Sequence, residues 1–139
     1  MKKHIFVLLS ILLLNLNCKA QHSEKRPAAV QSENAGKPEN TPESVTAYFF
    51  RSQINKDERW KEVLPPQNHW NERLRGKIEK YQRWTVKKFR IIKTHYTGDR
   101  KAEVEIYMEV EFKGRTASGQ DTVELEKING RWVIVSVPT

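Results

Sequence analysis

Two periods follow one another along the chain. Between residues 42 and 84 the large apolar residues recur three and four positions apart, and between 85 and 137 they alternate with polar ones. The first period predicts amphipathic helices and the second predicts strands with one covered face. Thr41 suits an N-cap, Pro42 the first helical turn and Glu43 the positive end of the helix dipole. Val45, Tyr48, Phe49 and Ser52 then form one stripe, which Phe50 and Ile54 widen. Asn55-Lys56-Asp57 breaks this helix, and Asp57 is placed to cap a short one carrying Trp60, Val63 and Leu64. Pro65-Pro66 ends that segment. Asn68 is then expected to cap a third helix with Trp70, Leu74, Ile78 and Tyr81 on one side and Arg73, Arg75, Lys77, Lys80 and Arg83 on the other.

After Trp84 the pattern calls for four consecutive antiparallel strands. The first runs from Thr85 to Tyr96, with a turn at Gly98-Asp99. The second alternates most regularly: Ala102, Val104, Ile106, Met108, Val110 and Phe112 face one way, while Glu103, Glu105, Tyr107, Glu109 and Glu111 face the other. The stretch Gly114 to Gly119 is polar and glycine-bearing and is expected to be a flexible loop. Thr122 to Ile128 is the third strand, Asn129-Gly130 a hairpin turn, and Arg131 to Val137 the fourth strand, closed by Pro138. Helices followed by a meander define an α+β domain over residues 42–139, with N-terminal helices packed on one face of a curved four-stranded antiparallel sheet.

The residues ahead of that domain have a different character. Lys2 and Lys3 precede a ten-residue apolar run, Ile5 to Leu14, interrupted only by Ser10. This is the layout of a secretory signal, and the run falls short of the about 20 residues a membrane span needs. Residues 1–20 are therefore expected to be a signal peptide. Asn15-Leu16-Asn17-Cys18 resembles a bacterial lipoprotein lipobox, although Asn17 stands in place of a small residue and Asn15 in place of an aliphatic one. On that reading cleavage falls before Cys18, which becomes lipidated. The alternative is ordinary cleavage after Ala20. Residues 21–41 hold one large aliphatic, Val30, among Pro, Ser, Asn, Glu and Lys, a composition expected to form a flexible linker with an r.m.s. span of roughly 25 Å.

Composition narrows the function. The chain has 139 residues, enough for one ordinary domain. Its single Cys cannot build a zinc ribbon, a disulfide scaffold or a two-Cys redox site. The formal net charge is +8, unevenly placed: residues 51–101 hold 15 Lys and Arg against 6 Asp and Glu, while residues 102–139 hold 4 against 7. Cross-strand pairing of Lys88, Arg90 or Lys93 with the outward glutamates accounts for much of this charge. The helical cations Arg73, Arg75, Lys77, Lys80 and Arg83 form a candidate face for an anionic partner, a lipid surface or an acidic envelope protein. Nucleic acid is not expected as a partner of a chain bearing an export signal.

The run from Asp121 to Pro138 resembles the last hairpin of the nuclear transport factor two-like (cystatin-like) superfamily. The helical half, from Tyr48-Phe49-Phe50 through Asp57-Glu58-Arg59-Trp60, resembles it too, and the pattern is closest to a small bacterial lipoprotein branch. The resemblance implies a cone-shaped fold with a cavity between helices and sheet. It implies no activity, because that fold hosts enzymes and binding modules alike. Trp60, Tyr81 and Tyr96 are candidates to line the cavity mouth, and His95 beside Tyr96 is a candidate acid–base pair. Proton-moving enzymes of the superfamily place an acid inside the cavity. Here the acids fall on the polar side of their strands, leaving Asp121 as a loose candidate.

Metal-ligand spacing, a phosphate-binding glycine loop and a nucleophile elbow are absent from the sequence, so no metal and no cofactor are expected. The residues point to an exported, lipid-anchored protein of the cell envelope, facing the periplasm, whose domain binds without catalysis. A soluble periplasmic or secreted form is the alternative location. A small-molecule binder or isomerase-like enzyme using the cavity is the alternative function.

Overall fold

A computed structural model describes residues 36–139. The elements are α1 (Pro42–Asn55), a 3₁₀ turn (Arg59–Val63), a second 3₁₀ turn (Gln67–His69), α2 (Glu72–Arg83), β1 (Thr85–Gly98), β2 (Lys101–Phe112), β3 (Arg115–Ile128) and β4 (Arg131–Ser136). The strands form one antiparallel sheet in the order β1-β2-β3-β4, and the two helices cover one of its faces. The domain is α+β, as its two periods require. Cys18 and the rest of the expected signal peptide and most of the expected linker lie outside the described residues.

Local chemistry explains the helix ends. The Thr41 side chain accepts from the Ser44 N–H and starts α1. Lys56, in the left-handed region at φ 55°, ends it. Ser52 is buried on α1; its hydroxyl accepts the Trp60 N–H at 2.9 Å and donates to Asp57. Asp57 in turn accepts from the Arg59 N–H and from Arg59 Nε, each at 3.0 Å. This knot reverses the chain and sets Trp60 on the core.

Four expectations are corrected here. The segment bearing Trp60, Val63 and Leu64 is a 3₁₀ turn, since prolines at 65 and 66 leave it no room to lengthen. Asn68 lies within the second 3₁₀ turn, and the cap of α2 is Asn71, whose Oδ1 accepts the Leu74 N–H at 2.7 Å. Trp70 therefore precedes the helix, with its indole N–H donated to the Pro65 carbonyl at 2.7 Å. Ile54 does not widen the buried stripe of α1; it stands in the helix's last turn and is exposed.

The largest correction concerns Gly114 to Gly119, which belongs to β3. Lys113 (φ 49°) and Gly114 (φ 73°) form a two-residue turn with both φ values positive, and Asn129 (φ 51°) and Gly130 (φ 76°) form another. The first turn pairs Phe112 with Arg115, after which every residue up to Glu126 faces a β2 residue. Main-chain bonds to β2 hold this stretch extended although neither of its faces is covered.

The sheet's inner face is the even-numbered row of β2, from Ala102 to Val110, all buried. Register shifts at Val86/Lys88, Ile91/Lys93 and Tyr96/Gly98 mark bulges in β1, which bend the sheet around the helices. The core between the layers is aromatic. Phe49 meets Phe50, Tyr81 and Trp60 edge-on, with ring centroids 5.1, 5.5 and 6.3 Å away, and Phe50 stacks on Phe89 at 5.3 Å. These rings fill the space between helices and sheet, so that space is core.

The Arg59 guanidinium, with the Ser52 hydroxyl and the Arg59 N–H, holds the Asp57 carboxyl down to about 2. An unfolded Asp titrates near 3.9, so the knot's stabilisation is complete above about pH 4 and is lost as pH falls toward 2. Partial solvent contact limits the effect to roughly 1 kcal/mol. Asp57→Asn should destabilise the protein by about 1–2 kcal/mol at pH 7 in urea unfolding, and its deficit against the parent should shrink below pH 4.

Candidate functional site

Strand lengths create a concavity at one end of the sheet. β3 has 14 residues and β4 has 6, and the β3–β4 pairs end at Glu124↔Ser136. The first half of β3 therefore runs beyond β4, carrying the far end of β2 with it. On the inner face this leaves a hollow of about 390 Å³, open to solvent. Met108 and Val110 form its floor, Phe112 and Trp84 its apolar walls, and Ala117 and Gly119 give it depth because they have almost no side chain. Along β3's inward row Arg115 stands at one end of the hollow and Asp121 at the other.

Trp84 ends α2 and tilts against Tyr81, centroids 5.5 Å apart. Tyr81 supports the floor from behind: its hydroxyl contacts Met108 Sδ at 3.5 Å, and burial pushes its phenol far above the usual range. Asp121 is the hollow's carboxylate. Its Oδ1 accepts the Thr122 N–H at 2.7 Å and its Oδ2 the Thr139 N–H at 3.3 Å, so both oxygens are engaged by main chain. The hollow offers apolar area with one cation and one anion at its rim. That chemistry can retain an apolar group, and no base faces its centre.

The expected pocket residues do not converge. Trp60 is buried against Phe49 and Trp70 at the other side of α1, and Tyr81 is sealed in the core. His95 and Tyr96 are neighbours on one strand, so they point to opposite faces. His95 points outward, with Nε2 3.3 Å from Glu105 Oε1. Tyr96 lies on the inner face but is 61% exposed, its ring edge-on to Trp132 at 6.0 Å. They cannot act as one acid–base pair.

The five helical cations do not share a face either. At roughly 100° per residue, Arg73, Lys77 and Lys80 cluster on one flank of α2, Arg75 lies on the other, and Arg83 points away from the core. Lys77 is further removed from any outward role. Its Nζ donates to Ser136 Oγ at 3.1 Å and to the Val137 carbonyl at 2.7 Å, and desolvation followed by the charge of Arg73 lowers its pKa. It ties α2 to the end of the sheet.

The outer face is a charge ladder. Lys87 meets Glu111 at 2.9 Å and Lys88 meets Glu109 at 3.1 Å, which raises the Lys88 pKa. Lys87 and Lys88 both point outward because a bulge separates them from strict alternation. Arg90 lies over the Tyr107 ring at 6.0 Å. Among the described residues no group of three or more His, Cys, Asp or Glu is placed to hold a metal ion, and no helix is long and apolar enough to cross a membrane.

Sequence reasoning missed the hollow's lining. Trp84 reads as the end of a helix, and Ala117 and Gly119 read as loop. A usable signal was present: Arg115, Ala117, Gly119 and Asp121 alternate with polar residues at the strand period.

No family model and no curated protein matches the chain. Among solved structures it is similar to a SEC-C motif containing protein from Rhodopseudomonas palustris, with 15% identity, 70% of this chain and 77% of that chain covered, and a TM-score of 0.54. Looser likenesses are an NTF-2 like protein of unknown function from Shewanella oneidensis MR-1 (18% identity, 68% and 95% covered, TM-score 0.46) and a protein named as a candidate NTF2-like transpeptidase from Campylobacter jejuni (14%, 68% and 96%, 0.45). At these identities the likeness is one of fold alone: helices laid over a four-stranded antiparallel sheet.

Lys77→Met keeps the aliphatic stem and removes both donated bonds. It should cost about 1 kcal/mol and raise amide exchange at residues 136–139 selectively, as read by hydrogen-exchange mass spectrometry.

Proposed function

We propose that this chain is an exported, lipid-anchored cell-envelope protein whose domain binds a partner without catalysis, taking an apolar group into the hollow between Trp84 and the β2–β3 hairpin. One observation carries the binding half of this reading. Met108, Val110, Phe112 and Trp84 line an open concavity whose carboxylate, Asp121, is already held by two main-chain N–H groups. Apolar surface of this kind is worth about 25 cal/mol per Å² covered, enough for a specific contact when shape fits. The location half rests on the leader at residues 1–20 and on Cys18. A lone thiol in an exported chain has a purpose if it carries lipid, and two or more acyl chains give stable anchoring.

Two experiments test the two halves separately. Ala117→Leu fills the hollow from an exposed strand position and should leave the melting temperature unchanged. It should weaken binding of the apolar probe 1-anilinonaphthalene-8-sulfonate at least ten-fold; unchanged binding would remove the hollow as the site. Mass spectrometry of the mature protein from envelope fractions should find a chain beginning at an acylated Cys18. A chain beginning at Gln21 would replace anchoring by a soluble exported form, and retention of Met1 would end the export reading.

A further inference from the structure

The two charges at the ends of the hollow are not equivalent. Asp121 is occupied: its two oxygens accept the Thr122 and Thr139 N–H groups. Arg115 makes no ion pair or side-chain hydrogen bond among the described residues. Nor can the two satisfy each other. They stand six residues apart along an extended strand, on the order of 20 Å, beyond a Debye length at physiological salt. The acids nearest Arg115 in the sheet, Glu109 and Glu111, lie on the outer face and are engaged by Lys88 and Lys87. A second cation sits at the same end. Lys113 Nζ lies 5.3 Å from the centre of the Phe112 ring, which is a wall of the hollow, and makes no ion pair among the described residues. The hollow is thus apolar along its length, with cations awaiting a partner at one end and a carboxylate already held by main chain at the other.

We infer that the occupant of the hollow is a single-chain amphiphile with an oxyanion head, the head held by Arg115 and the chain laid along β3 toward Asp121. The inference rests on the reading of the hollow as a site for an apolar group and adds the charge and direction of its ligand. A guanidinium matches an oxyanion in two parallel hydrogen bonds, and Lys113 adds its charge without a fixed geometry. Asp121 fixes the direction, since it repels an anionic head from the far end. Ala117 and Gly119 leave room for an unbranched chain to lie flat on the strand between the two charges. The floor argues for one dispersed molecule over a membrane surface. Met108 and Val110 lie at the bottom of a concavity of about 390 Å³, the size of a small ligand site, where a flat bilayer does not reach.

Three probes of equal chain length separate head charge from apolar contact: decanoate, 1-decanol and decyltrimethylammonium, each below its micellar concentration, titrated calorimetrically into the full-length chain at low salt. Decanoate should bind at least five-fold tighter than decyltrimethylammonium. Arg115→Gln should weaken decanoate about five-fold and leave 1-decanol unchanged. Arg131→Gln removes the same charge from the opposite end of β3 and should leave decanoate unchanged, which excludes a general effect of net charge. Ala117→Leu should weaken decanoate and 1-decanol alike. If 1-decanol is lost with Ala117→Leu but decanoate is indifferent to Arg115→Gln, the hollow stands as an apolar site and the anionic ligand is overturned. If Ala117→Leu changes neither probe, the hollow itself falls and the inference with it. Equal binding of decanoate and decyltrimethylammonium, or binding to phosphatidylglycerol vesicles without binding to decanoate, would also overturn the inference.

Discussion

The structure turns on a difference in strand length. β4 stops at Ser136 while β3 begins at Arg115, so the last strand covers only the second half of its neighbour. Where β4 is present, Val123, Leu125 and Ile134 are fully buried under the helices. Where it is absent, the same sheet presents Ala117 and Gly119 to solvent and leaves a row of main-chain donors and acceptors without partners. The hollow, the open edge and the exposed Phe112 share this one origin. A fourth strand of full length would remove all three.

The covered half is rigid enough to hold the uncovered half in shape. Tyr81 is the link. It packs against Phe49, Phe50 and Trp84, and its hydroxyl meets Met108 on the hollow's floor. A rearrangement of the floor therefore has to displace a ring wedged between two helices, and large core residues of this kind are costly to disturb, of order 3–5 kcal/mol for loss of an aromatic side chain. Lys77 performs a similar service at the other rim by fixing the residues that follow β4. The hollow is thus preformed, which lowers the ordering cost a ligand would otherwise meet.

Much of the fold was legible because it was written in residues with strong local preferences. Asn129-Gly130 accepts positive φ at both positions, and the alternation from Ala102 to Val110 admits only a strand with one covered face. What could not be read was decided by partners distant in sequence. Arg115 to Gln120 is extended only because β2 lies alongside, and its own side chains carry no apolar period to show it. Asn68 and Asn71 are equally good caps in isolation; the stripe beginning at Leu74 selects the second. The candidate site suffered most. Tyr81, His95 and Tyr96 are chemically suggestive residues, yet strand alternation and core packing send them to three different environments. The hollow is built instead from small and apolar residues that attract no notice in a sequence.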